Sequence, residues 1–220
     1  MAVAVLTGSN SGFGLEGALA FARNGDTVYA TMRDVSKAGA LQQAAAAEQL
    51  SVNVRTLDVT QAETFEPFVK EVVDEAGSID VLVNNAGILR AGAFEDIAEP
   101  TLRLMMETNF FGPFLLTRAV LPQMRAQRGG CIIMISSLSG VAGLPGDVPY
   151  SATKYALEGA TEALRHEVDR WGIKLALVEA GMYATGIFDS SVSGDAILPD
   201  TISAYTIITY SISWLGFQIR

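Results

Sequence analysis

Cysteine and histidine are almost absent: Cys131 and His166 are the only ones among 220 residues. One cysteine allows no disulfide within the chain, and one thiol with one imidazole cannot assemble a zinc site or a Ser-His-Asp type of triad. His166 reads as a surface residue on a charged helix face, and Cys131 as an inert residue of an apolar strand. Positive charge is scarce as well. Lys plus Arg number 15 against 24 Asp plus Glu, a formal net charge of −9, so the footprint of a nucleic-acid or anionic-lipid binder is missing. Charged residues make up only 18% and hydrophobic ones 50%, which excludes disorder and leads us to expect a sizeable core. No apolar run reaches the roughly 18 to 20 residues of a membrane span. The stretch that comes nearest, Ala204 to Ile219, is broken by Thr, Ser, Gly and Gln. The opening Met1-Ala2-Val3-Ala4-Val5-Leu6 has no basic flank and reads as a strand rather than a leader. These absences lead us to expect a cytoplasmic chain whose partners are small molecules.

What is present is an alternation. Short β-branched runs at Ala2–Leu6, Thr27–Thr31, Val52–Leu57, Val81–Asn84, Cys131–Ile135 and Lys174–Glu179 read as strands. Between them Leu15–Asn24, Lys37–Leu50, Ala62–Ala76, Thr101–Arg128 and Tyr150–Trp171 are long enough to be crossover helices. Strand then helix, five times over, predicts an α/β fold: a three-layer, doubly wound parallel sheet of the Rossmann type, in one domain. The pattern fades after Gly181. The expected division is a domain over residues 1–187 and an atypical tail or substrate lid over 188–220.

Directly after the first strand stands Thr7-Gly8-Ser9-Asn10-Ser11-Gly12-Phe13-Gly14, followed by an apolar helix. Glycines at a strand-to-helix turn let the backbone bend sharply and approach a pyrophosphate, which the free N–H groups of the helix start stabilise. Further on, Tyr150 and Lys154 lie four apart in a helix, with Cβ atoms about 5 to 6 Å apart. An ammonium at that range is expected to favour the phenolate by about 3 kcal/mol, or about two pK units, bringing a phenol into range as an acid or base.

With Asn84-Asn85-Ala86-Gly87 after the fourth strand and Tyr150-Ser151-Ala152-Thr153-Lys154, this loop resembles that of the short-chain dehydrogenases/reductases. Tyr29 to Asp34 and Leu144 to Tyr150 look most like the hydroxysteroid- and retinol-dehydrogenase-type members. The resemblance implies a catalytic set of Asn109, Ser137, Tyr150 and Lys154. It implies a cofactor held by Thr7, Gly8, Ser9, Ser11, Gly12, Phe13 and Gly14, by Asp58 and Val59 near the adenine, by Asn85, Ala86 and Gly87 along the ribose, and by Tyr150, Lys154, Gly181 and Thr185 at the nicotinamide. Ala180 replaces the family's proline before Gly181. In NAD users an acid stands where this chain has Met32, whereas Arg33 stands where NADP users carry a basic residue, so NADP is expected, with NAD possible and Ser9 and Ser11 as extra hydroxyl donors to a 2′-phosphate. Asp34 is the complication, because it can pair with that arginine. The resemblance also sets the domain boundary at 187 and implies a further helix and seventh parallel strand, which the tail over 188–220 is expected to lack. It implies as well that the two long helices, Thr101–Arg128 and Tyr150–Trp171, pair with their symmetry mates in a homodimer or higher homo-oligomer.

The resulting expectation is an NADP-dependent oxidoreductase that interconverts a secondary alcohol and a ketone. Ser137, Leu144, Val148 and Met182 would face a hydrophobic substrate. The rival readings are an NADP-binding module without turnover, a sugar-nucleotide epimerase or dehydratase, which would need a larger C-terminal substrate domain, and a C-terminally incomplete enzyme of weak activity.

Overall fold

The structure is a computed structural model, and residues 1–181 are described here. Six strands form one parallel sheet: β1 (Val3–Leu6), β2 (Thr27–Met32), β3 (Asn53–Thr56), β4 (Val81–Asn84), β5 (Gly130–Ser137) and β6 (Ile173–Ala180). Their order is β3-β2-β1-β4-β5-β6, so the winding reverses between β1 and β4. This is the three-layer Rossmann arrangement that the alternation predicts. Loops at the carboxyl ends of β1 and β4 part at such a reversal and leave a crevice for a ligand.

Both faces of the sheet are covered. On one, α3 (Phe65–Ala76), α5 (Gly112–Gln127) and α6 (Val148–Val168) pack on Val5, Leu82, Ile132 and Met134. On the other, α1 (Gly12–Arg23) and α2 (Gly39–Ala47) pack on Ala4, Leu6, Ala30 and Met32. Helical spacing explains the fit: α3 buries Phe65, Phe68, Val69 and Val72, one stripe of a 3.6-residue period. That helix ends where Gly77 takes a left-handed φ of 83°.

One expected helix is three elements. Residues predicted as a single Thr101–Arg128 helix fold as α4 (Glu99–Met106), a π turn over Glu107–Phe111, and α5. Pro113 accounts for the break, because it has no N–H to offer the Asn109 carbonyl and the regular i→i−4 ladder cannot run through it. Gly112 fits there for want of a side chain: a Cβ on it would lie 2.5 Å from the Val59 carbonyl oxygen. The remaining expected elements form with ends shifted by a few residues. The expected tail over 188–220, its lack of a seventh strand, and the site residues Met182 and Thr185 lie outside the described residues.

Candidate active site

The carboxyl ends of the strands bring the expected residues to one edge. Gly8 follows β1, Arg33 follows β2, Asp58 follows β3, Asn85 follows β4, and Ser137 closes β5. Parallel pairing sets Ser137 opposite Ala180 of β6, which puts Gly181 beside the same rim.

The glycine loop is shaped for close approach. Gly8 has φ +68°, and a Cβ there would stand 2.9 Å from the Ala86 Cα. At Gly14 a Cβ would collide with the Gly8 carbonyl oxygen at 2.3 Å, so this glycine lets α1 seat against the loop. Ser11, the N-cap of α1, makes no side-chain capping bond, and the first turn carries no acid. No acid there opposes the positive end of the helix dipole, which suits an anion such as the pyrophosphate of a dinucleotide. Phe13 is 41% exposed beside them.

Two hydroxyls in that loop are turned inward, contrary to expectation. Thr7 is buried, and its Oγ1 donates to the Val83 carbonyl at 3.4 Å while accepting from the Asn85 and Ala86 N–H groups at 3.0 Å each. Ser9 is also buried and donates to the Leu6 carbonyl at 3.1 Å, which removes it from the expected donors to a 2′-phosphate. Asn85 stitches the crevice as well, with its amide donating to the Thr7 and Gly8 carbonyls at 2.8 and 3.1 Å. Across the crevice Arg33 is exposed and makes no ion pair among the described residues. Asp34 does not hold it: that carboxylate accepts from the Ser36 N–H and hydroxyl at 3.0 and 2.6 Å. Asp58 folds similarly onto Thr60, at 3.0 Å to its N–H and 2.8 Å to its hydroxyl. Val59 is buried with its carbonyl against Gly112. Gly87 lies beneath Asn109, whose Oδ1 would be 3.4 Å from a Cβ placed there.

At the end of β5 the Ser137 hydroxyl stands by the Tyr150 phenol and acts to lower its proton affinity. Below them Lys154 is buried, donates from Nζ to the Ile135 carbonyl at 2.7 Å, and lies 5.5 Å from the centre of the Tyr150 ring. Asn109, in the π turn, is fully engaged: Oδ1 accepts from the Ile88 N–H at 2.8 Å, and Nδ2 donates to the Ile88 carbonyl at 2.8 Å and to Thr153 Oγ1 at 3.1 Å. Thr153 in turn donates to the Tyr150 carbonyl at 2.7 Å. Leu144 is half-buried, and Leu138 and Val148 are 45% and 48% exposed around this group.

The expected lowering of the phenol is reversed. Burial pushes Tyr150 up to about 12, the Ser137 hydroxyl opposes this, and the Asp147 charge adds to it. Burial also brings Lys154 down to about 8, against the pull of Glu158. Charge attraction across a helical turn was weighed in the sequence, but the loss of water around both groups was not, and it dominates here.

Four participants escape the sequence reading. Thr153, Glu158, Ser139 and Asp147 all surround the Ser137, Tyr150 and Lys154 group. Asp147 has its carboxyl raised by burial to about 6, with the Ser139 hydroxyl bond opposing. An acid one residue ahead of a helix containing an early proline was the available signal. Among the described residues no group of His, Cys, Asp and Glu could hold a metal ion, and no helix is long and apolar enough to cross a membrane.

A sheet reversing at β1 and β4, a glycine loop at that reversal and a Ser, Tyr and Lys group at the next strand end define a nucleotide-dependent oxidoreductase site. The chain matches the model of the short chain dehydrogenase family over residues 2–196 and belongs to that family. It is 42% identical to an uncharacterized oxidoreductase, YusZ, of Bacillus subtilis, over 92% of this chain and 72% of that one. Against a 3-ketodihydrosphingosine reductase of Bacteroides thetaiotaomicron it is 40% identical, over 86% of this chain and 66% of that one. Among solved structures, a short-chain dehydrogenase from Streptomyces avermitilis superposes with TM-score 0.81 at 39% identity, covering 89% of this chain and 72% of that one. A gluconate 5-dehydrogenase from Burkholderia cenocepacia, in complex with NADP and tartrate, superposes with TM-score 0.79 at 30% identity, covering 84% and 73%.

Proposed function

We propose that this protein is an NADP(H)-dependent oxidoreductase that interconverts a secondary alcohol and a ketone on a hydrophobic small molecule. The observation that carries the reading is a buried Tyr150 phenol beside the Ser137 hydroxyl at the end of β5, with the buried Lys154 ammonium 5.5 Å from the ring centre. Residues 1–187 would hold both cofactor and chemistry. When bound, NADP(H) supplies or accepts the hydride. The crevice of Gly8, Gly12, Gly14, Asn85 and Gly181 would hold it, and the unpaired Arg33 would favour the 2′-phosphate. Ser137 holds the carbonyl oxygen of the substrate, Tyr150 donates a proton to that oxygen, and Lys154 lowers the proton affinity of the phenol once a ligand brings further positive charge. With its pKa pushed up to about 12, the phenol stays protonated at neutral pH, which suits carbonyl reduction. Asn109 and Thr153 hold the Tyr150 backbone. Leu138, Leu144 and Val148 supply the apolar rim. A relative named for reduction of a ketosphingoid and a solved neighbour carrying NADP support this reading.

The test is NADPH consumption measured by absorbance with a panel of apolar ketones, in the parent and in Tyr150→Phe. The variant is expected to bind NADPH as before and to lose at least about a hundredfold in kcat, the share of one acid/base group. Turnover retained in Tyr150→Phe removes the phenol from the mechanism. Tight NADPH binding with no turnover on the panel favours the binding-module reading.

A further inference from the structure

Asp147 stands three residues ahead of Tyr150, at the N-cap position of α6. An acid at that position ordinarily accepts from the N–H of the second or third helical residue. Here the second is Pro149, which has no N–H, and the Asp147 side chain makes no capping bond. Its Oδ2 instead accepts from the Ser139 hydroxyl at 2.7 Å, and its Oδ1 is buried with no partner among the described residues. Burying a carboxylate for one hydroxyl bond does not serve the helix. It serves the turn that Ser139 occupies.

That turn, Leu138–Gly140, follows β5 directly. The Ser139 N–H donates to Ser137 Oγ at 3.2 Å, and the same hydroxyl acts on the Tyr150 phenol beside it. A continuous line thus runs from the Asp147 carboxyl through the Ser139 hydroxyl and N–H to the Ser137 hydroxyl and the phenol. The Asp147 end of the line is anchored by two backbone bonds. The Ser151 N–H donates to the Asp147 carbonyl at 2.8 Å, and the Gly92 N–H to the Gly146 carbonyl at 2.9 Å.

We propose that Asp147 is a positioning residue of the reaction: acting through Ser139, it fixes the turn that presents the Ser137 hydroxyl to the Tyr150 phenol. This rests on the roles given above to Ser137 and Tyr150. The carboxylate also acts on the phenol by its charge, opposite in sign to that of Lys154, with Glu158 beyond the lysine.

Three variants of the full chain separate the two effects. Ser139→Ala and Asp147→Ala break the line. Asp147→Asn keeps an oxygen for the Ser139 hydroxyl and removes the charge. Each alanine variant is expected to lose at least about tenfold in kcat at unchanged NADPH affinity, because a reacting group is misplaced. The double alanine variant is expected to lose no more than the worse single one, since both cut one line. Asp147→Asn is expected to keep kcat within about threefold and to move the alkaline limb of the pH profile to lower pH, as the phenol is relieved of a nearby negative charge. A second measurement needs no turnover. Carbon NMR of the carboxyls, assigned with Asp147→Asn, is expected to show the Asp147 titration midpoint rise in Ser139→Ala, because a hydrogen bond to the charged form has gone. Alanine variants within about twofold of the parent kcat, or losses that add in the double variant, overturn the proposal. An unmoved carboxyl midpoint overturns it whether or not any ketone is turned over, whereas a parent protein inert on every ketone tells against the functional reading alone.

Discussion

Arg33 is the residue on which cofactor choice turns. Arg33 is exposed just after β2, and the carboxylate of the adjacent Asp34 is hydrogen-bonded to Ser36. A planar fork of donors left unpaired at that place suits a phosphate rather than a free hydroxyl. Arg33→Ala is expected to weaken NADPH at least about tenfold, about 1.4 kcal/mol, and to leave NADH nearly unchanged. Equal losses for both cofactors in calorimetry would move the preference elsewhere. Lys154 shows how burial acts on a charged group at the same site. Its pKa falls from 10.5 to about 8, so between those values the folded protein binds fewer protons than the unfolded chain and stability rises with pH. Below about pH 8 the folded state carries the whole cost of the buried ammonium, at most about 3 kcal/mol. Lys154→Met removes that pH-dependent part. Its Tm relative to the parent is therefore expected to be higher at pH 7 than at pH 10, and turnover is expected to be lost at both. A difference in Tm that is the same at both pH values would mean the lysine is not held charged in the interior.

At the level of elements, the π turn decides how the site is held. Asn109 lies within it and clamps Ile88 and Thr153, so the loop after β4 and the first turns of α6 are joined through one amide. The seam closes only because Gly112 leaves room for the Val59 carbonyl. Gly112→Ala is expected to destabilise the protein by about 1 to 3 kcal/mol through overpacking and to weaken turnover beyond the stability loss, as Asn109 shifts. A Tm within a degree or two of the parent would show that the seam yields. Strands and helices were legible in the sequence because a period of 2 or 3.6 in apolar residues survives any loop between them. The π turn was not, since one widened turn leaves no period, and proline alone does not mark it: Pro113 lies just after the turn, whereas α5 runs unbroken through Pro122. Ser137, Tyr150 and Lys154 were legible from spacing and order along the chain. The inward turn of Thr7 and Ser9 was not, because a hydroxyl in a glycine loop reads alike whether it faces a ligand or a strand. Asp147 was only faintly legible, by its place ahead of a helix with an early proline, because its contact with Ser139 eight residues earlier is made by the fold.

For the whole molecule, the sheet order brings every strand end of the site to one edge, and the elements that carry Asn109, Tyr150 and Lys154 have an outer face as well. Packed together on one side are α4, the π turn and α6. On these three elements Leu104, Phe111 and Tyr155 are 45%, 41% and 47% exposed. Single exposed apolar residues are ordinary, but neighbouring ones on adjoining helices are what a self-complementary surface needs. A twofold pairing would cover them and stiffen the π turn that holds Asn109, so assembly and site geometry would be linked. Sedimentation at micromolar concentration is expected to give twice the chain mass of 23.3 kDa. Phe111→Glu with Tyr155→Glu is expected to give the single mass, because two carboxylates would face their symmetry mates across the seam. NADPH affinity should survive in that variant, as the glycine loop lies apart from these residues, whereas turnover should fall with the loosened π turn. A parent chain that sediments as a monomer would remove the pairing, and a monomeric variant with full turnover would cut the link between assembly and the site.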